Sequence, residues 1–350
     1  MIRSARGSTW AASGAALTLG LCLSFFLWPA HADAAKPKAK FELKIATIAP
    51  DGSTWMRIMD DLAAEIFQET GGDVGLKFYA GGVQGEDAVV LRKIRAGQLH
   101  GGGFTGVGLG EIASAVRVME TPFLFRDQSE VNAVQQKMEP VFDELLRQAG
   151  WELLGWSDVG FVYLLSKSPI ARTEDLRRTK MWLWEGDPLA EALLKTLGVA
   201  PVPLPITDVV TSLQTGMIDA VYTSPTACIA LQWFTRVSHL TDLPVTHAVG
   251  AVVVSKEAFA KISPANQAKV KEICRKHFAR LSQAIEEENK ASLGVLQQKG
   301  VKLVSLSAAD RAAFEGVGQE VQERLVGQIY PREMLDQVLA ALREIRGTQR

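Results

Sequence analysis

The chain has little of what most covalent and metal chemistry needs. It holds 3 cysteines and 5 histidines in 350 residues. Cys22, Cys228 and Cys274 form no C-x-x-C pair, and the histidines are scattered. No cluster has the spacing of a metal site. Catalytic signatures are missing as well: there is no G-x-S-x-G, no H-E-x-x-H and no P-loop. Gly101-Gly102-Gly103 does not open a phosphate-binding helix motif. One-sided charge is absent too. Lys and Arg number 38 against 39 Asp and Glu, with no long basic run. Nucleic acid is therefore not an expected partner. Beyond the N-terminus no segment approaches the roughly 20 apolar residues of a membrane-spanning helix.

What is present first is an export signal. Arg3 and Arg6 precede an apolar run from Ala11 to Trp28, and Pro29 follows. Ala30-His31-Ala32 and Ala32-Asp33-Ala34 are two overlapping small-residue cleavage sites. Residues 1–34 read as a secretory signal peptide, cut after Ala32 or Ala34. Leu21 is too large for the small residue that a lipoprotein site needs before Cys22. Cleavage leaves Cys228 and Cys274, and sequence alone does not show whether their Cα atoms lie close enough to bridge. With 47% hydrophobic and 22% charged residues, the rest is an ordinary globular chain long enough for two domains.

Strand and helix periods alternate twice in the same order. FELKIATIA, a helix through Trp55, Ile58, Met59, Leu62 and Ile66, VGLKFYA, a helix over 87–96 and LHGGGFTGV form the first β-α-β-α-β run. KMWLW, a helix with Asp187 as cap and Pro188 at its first position, PVPLP, a helix capped by Thr207 and MIDAVYTSP form the second. The second helix of each run ends alike, at Gly97 and Gly216. Two similar lobes with a ligand cleft between them follow. Ser263-Pro264 opens a helix to about Lys299, long enough to brace both lobes. Ser307 with Asp310 resembles a capping box for the last helices.

METPFLF (119–125), EDLRRTKMW (174–182), LGVAPVPLP (197–205) and SLQTGMIDA (212–220) resemble the solute-binding receptors of TRAP transporters, the DctP-like family. The likeness covers roughly residues 42–305. It implies an α/β, periplasmic binding protein-like two-lobed fold of type II with a long bracing helix in the C-terminal third. Lobe I would take residues 42–160 with 248–305, lobe II residues 161–247, and residues 306–350 would form C-terminal helices packed on the lobes. The resemblance also implies a periplasmic receptor, not an enzyme, with no cofactor, that hands a small solute to membrane permease subunits. Stretches 98–111 and 230–237 are similar to a branch associated with a periplasmic tetratricopeptide-repeat protein.

Departures from the family pattern shape the site. Family members grip a carboxylate with an arginine where this chain has Trp182. A second arginine is replaced by Val162, after Phe161, and an asparagine by Ser224. Burying an anion without a partner is costly, so a neutral or largely apolar organic solute is the expectation. Trp182, Trp184, Tyr222, Ser224, Phe161, Val162, Phe104, Thr105 and Trp233 are the candidate ligand-binding residues. Strand alternation leaves open whether Trp182 and Trp184 face the cleft or the core. Two alternatives stand: an organic-acid receptor using Lys180 or Arg92, and an enzyme on the same fold. A monomer or dimer that closes by hinge motion is expected.

Overall fold

A computed structural model describes residues 38–348; the signal-peptide segment lies outside the described residues. The first strand, β1 (Phe41–Thr47), turns Leu43 and Ile45 into the core. Ser53 then accepts a hydrogen bond from Met56 N at 3.2 Å and caps α1 (Thr54–Glu69). β2 (Val74–Tyr79), α2 (Asp87–Arg95) and β3 (Gly101–Thr105) complete the first run. β2 and β3 flank β1 and both run parallel to it. The third strand stops earlier than its sequence suggests. Asp87 Oδ2 accepts from Thr105 N, Thr105 Oγ1 and Gly108 N, which turns the chain into α3 (Gly106–Ile112). A Cβ on Gly106 would fall 2.0 Å from Glu120 Oε2, so only glycine lets this helix approach that carboxylate. A 3₁₀ turn over Ser114–Glu120 follows, then α4 (Gln128–Gln148) and β4 (Trp151–Trp156).

β5 (Gly160–Ser166) enters the second sheet, and α5 (Thr173–Arg177) leads to β6 (Trp182–Trp184). The cap predicted at Asp187 forms: its Oδ1 accepts from Leu189 N and Ala190 N, with Pro188 opening α6 (Pro188–Thr196). β7 (Val202–Leu204) follows. Thr207 is not the cap of the next helix; it lies in a 3₁₀ turn, Ile206–Asp208, that leads into α7 (Val209–Thr215). Gly216 ends that helix at φ 76°, a left-handed conformation that suits glycine. β8 (Ala220–Thr223), α8 (Pro225–Ala230), β9 (His239–Thr241) and β10 (Thr246–Ala248) complete this half.

The chain then returns to the first sheet through β11 (Gly250–Ser255) and α9 (Lys256–Phe259). α10 (Pro264–Gln298) has 35 residues, which at about 1.5 Å each gives roughly 52 Å. Ser263 caps it. β12 (Lys302–Val304), α11 (Ala308–Leu325) and α12 (Arg332–Thr348) end the described chain. Ser307 caps α11 together with Asp310.

The order β2-β1-β3-β11-β4 makes the first sheet, with β11 antiparallel to β3. In the second half β7 pairs parallel with β6, and a bridge from Met181 to Ala220 links β6 to β8. β8 in turn pairs antiparallel with β5. The order β7-β6-β8-β5 therefore repeats β2-β1-β3-β11. The sheet of β5 also takes in β10, β9 and β12. The fold is the expected two-lobed α/β arrangement. α10 packs on α1 and β4 of one lobe and on α8 and β5 of the other. Cys228 and Cys274 are free and sit in separate hydrophobic clusters. Among the described residues no helix is long and apolar enough to cross a membrane.

Candidate functional site

Two neighbouring connections carry the chain between the sheets. Ser157 N donates to Gly250 O at 2.7 Å, and Val159 N donates to Ala248 O at 3.1 Å. Asn289 of α10 closes on them: its Nδ2 donates to Val159 O at 3.0 Å while its Oδ1 accepts from Thr226 N at 3.4 Å. One side chain thus ties the crossing to α8. Beside this crossing lie an inner cavity of about 110 Å³ and an outer cleft of about 470 Å³. Thr105, Val159, Trp184, Ile206, Thr223 and Ser224 line both.

Aromatic rings form one wall of the inner cavity. Trp182 stacks on Tyr222 with centroids 5.0 Å apart and on Trp184 at 6.0 Å, and meets Trp233 edge-on at 5.3 Å. Trp182 belongs to core and cavity at once: it is 1% exposed, and its Nε1 donates to Leu204 O at 3.0 Å. Trp184 is half-buried, and its backbone N–H donates to the Tyr222 hydroxyl at 3.0 Å. Burial holds the Tyr222 phenol well above its usual pKa, so it stays neutral.

A buried ionic triad forms the polar floor. Arg117 Nη1 donates to Asp187 Oδ1 at 2.7 Å, and Arg117 Nε and Nη2 both meet Glu120 Oε2 at 2.7 Å. Glu120 Oε1 accepts from Val249 N at 3.0 Å. Burial pushes the Glu120 carboxyl up, and Arg117 opposes that. The triad joins the turn before α4 to the N-terminus of α6. Sequence reasoning quoted Glu120 and read Asp187 as a cap, but missed Arg117. The available signal was Arg and Glu three residues apart in the apolar stretch AVRVME.

Of the candidate residues, Trp182, Trp184, Tyr222, Ser224, Val162, Thr105 and Trp233 line the inner cavity. Phe104 borders the outer cleft, but its ring is buried edge-on against Trp151. Phe161 lines neither space. It alternates with Val162 on β5 and packs edge-on against His247 at 5.2 Å. The Ser224 hydroxyl accepts from Ala227 N and caps α8. Neither base weighed for an acid ligand reaches the cavities. Lys180 Nζ donates to Gly216 O on the exterior, and Arg92 is exposed on α2. The outer cleft does hold Arg57, whose Nη1 and Nη2 donate to Gly52 O and Thr54 Oγ1. Among the described residues no group of His, Cys, Asp and Glu is placed to hold a metal.

Two sheets of repeated topology, a double crossing, a bracing helix and an aromatic-walled cleft define a solute receptor. The comparisons with known proteins agree. The sequence profile of bacterial extracellular solute-binding protein, family 7 (DctP) matches residues 45–328, and the chain belongs to that family. A solute-binding protein of Verminephrobacter eiseniae strain EF01-2 is 26% identical over 290 residues, covering 81% of this chain and 84% of its own. A TRAP periplasmic solute binding protein from Xanthobacter autotrophicus Py2, solved with β-D-galacturonate, matches with a TM-score of 0.79 at 20% identity, over 86% of this chain and 99% of that one. One from Pseudomonas putida F1, solved with D-glucuronate, gives a TM-score of 0.79 at 22% identity, over 86% and 97%. The protein is a solute receptor of that extracellular solute-binding family and not an enzyme.

Proposed function

We propose that this receptor works in the periplasm, captures a small, neutral or largely apolar solute that is not an acid, and delivers it to the membrane permease of a TRAP-type transporter. One observation carries the ligand class. Among the described residues, the one arginine that lines the inner cavity is already held by two carboxylates of the protein itself. An anion placed there would face Glu120 and Asp187 with no free donor of positive charge. Trp182, Val162 and Ser224 stand where the family resemblance leads one to expect gripping side chains. An apolar cargo partitions poorly into water, which gives a periplasmic tetratricopeptide-repeat partner a use as a protein-to-protein relay.

The uronates bound by the two solved relatives favour a second reading, in which the solute is an acid. Arg57 in the outer cleft is the base that would meet it. Protein purified gently from its native envelope, followed by mass spectrometry of the released ligand, tests the first reading, which expects a molecule without an acid group. Calorimetric titration with D-glucuronate and β-D-galacturonate tests the second. Micromolar binding that is lost in Arg57→Ala would establish the acid and overturn the proposal. Light crosslinking before purification should recover permease subunits, and a repeat protein if the relay exists.

A further inference from the structure

We infer that the solute carries a positively charged nitrogen, with its apolar part in the inner cavity and Asp158 as its counter-charge in the cleft. The inference rests on the non-acid part of the reading above and gives the largely apolar solute a positive charge in place of neutrality: one class, small organic cations.

The charges along the two spaces are unequal. Arg117 is outnumbered by Glu120 and Asp187 in the inner cavity. Among the described residues, Arg57 is the single base of the outer cleft, against Asp51, Asp158 and Glu288. Arg57 turns its donors to Gly52 O and Thr54 Oγ1, and Thr54 Oγ1 itself donates to Glu288 Oε1 at 3.3 Å. None of these contacts neutralises Asp158.

Asp158 is the odd group. It is 7% exposed, lines the outer cleft and makes no ion pair among the described residues. Its Oδ2 accepts from Gln128 Nε2 at 3.2 Å, and its Oδ1 has no partner. A buried carboxylate left this way is costly to keep charged. Burial raises its carboxyl to about 6; the Gln128 bond lowers it, and the charge of Glu286 on α10 raises it. A cation in the cleft would relieve that cost by direct Coulomb attraction at low dielectric. Val159, the next residue, lines both spaces, so Asp158 stands where they meet.

The aromatic wall fits the same class. Indole and phenol faces attract cations through their quadrupole, most strongly when water is excluded. Trp184 borders both spaces, and a further carboxylate, Glu86 Oε2, accepts from its Nε1 at 3.2 Å. Glu86 Oε1 in turn accepts from Thr207 N, so Glu86 stands behind Trp184 rather than in the cleft. A ring wall on one side and the Asp158 carboxylate in the cleft suit an ammonium joined to an apolar body.

The test uses three probes that share one apolar body: phenethylamine, phenethyl alcohol and phenylacetate. Each is titrated calorimetrically into the full folded protein at neutral pH, and into Asp158→Asn. The amine should bind at least about tenfold more tightly than the alcohol. Asp158→Asn should bring the amine to the level of the alcohol and leave the alcohol unchanged. Equal binding of amine and alcohol, with phenylacetate excluded, overturns this inference and leaves the non-acid reading intact. Tightest binding by phenylacetate overturns both. No amine binding at millimolar concentration, or an amine preference that survives in Asp158→Asn, also overturns the assignment.

Discussion

At Trp182 an indole stands where the family resemblance leads one to expect a guanidinium. Its Nε1 still needs an acceptor, and Leu204 O on the neighbouring strand supplies one. His247 is the contrasting case. It is 1% exposed, and neither ring nitrogen has a partner among the described residues. Burial pushes its pKa down to about 3. An unfolded histidine titrates near 6.5, so below that pH the unfolded chain takes up the proton first. The stability that comes from a neutral His247 is therefore full above about 6.5 and is lost as pH falls towards 3. Asp87 and Asp158, both raised to about 6 by burial, act with the opposite sign. Comparison of wild type with His247→Phe isolates the histidine. Between about pH 7 and pH 5, wild type should lose about 2 kcal/mol more than the variant. Urea unfolding at both pH values measures it; parallel losses would show that His247 finds a partner in solution.

Caps explain why several elements begin where they do, and they decide one site assignment. Ser224 lines both spaces, yet its hydroxyl is held as the cap of α8. Ser224→Ala should cost about 1 kcal/mol of stability and leave affinity for the recovered solute within about twofold. A tenfold loss of affinity at unchanged stability would instead make Ser224 a ligand group. In the sequence Ser224 reads as a ligand group, and Thr207 as a cap that does not form. The caps at Asp187, Ser263 and Ser307 were legible in the sequence, because a polar residue before an apolar period is a local signal. So was the repeated strand and helix order, which the parallel pairing of β1 with β2 and of β6 with β7 reproduces. What was not legible depended on distant partners. α3 exists because Asp87, 18 residues before Thr105, reaches its first turn. The bond of Arg117 to Asp187 spans 70 residues. Alternation alone did not place Trp182, because it sits in the core cluster and against the cavity together.

For the whole molecule the question is what holds the lobes together before a solute arrives. The two crossing connections and α10 join the lobes, and side-chain contacts across the cleft join them further. Glu86 makes two of them. From the start of α2 its Oε2 accepts from Trp184 Nε1 at 3.2 Å, and its Oε1 accepts from Thr207 N at 3.4 Å. Both donors belong to the other lobe. A half-buried latch of this kind can bias an open–closed equilibrium without adding much to folding stability. Glu86→Ala should therefore leave the unfolding midpoint nearly unchanged and shift the ligand-free protein towards the open form. Small-angle scattering reads that directly. A compact chain of this length has a radius of gyration of roughly 20 Å, and opening should raise it by about 1 Å. Saturating solute should restore the compact value with about tenfold weaker affinity, since binding must then supply the closure that Glu86 had favoured. If the ligand-free variant scatters like wild type, Glu86 is not the latch.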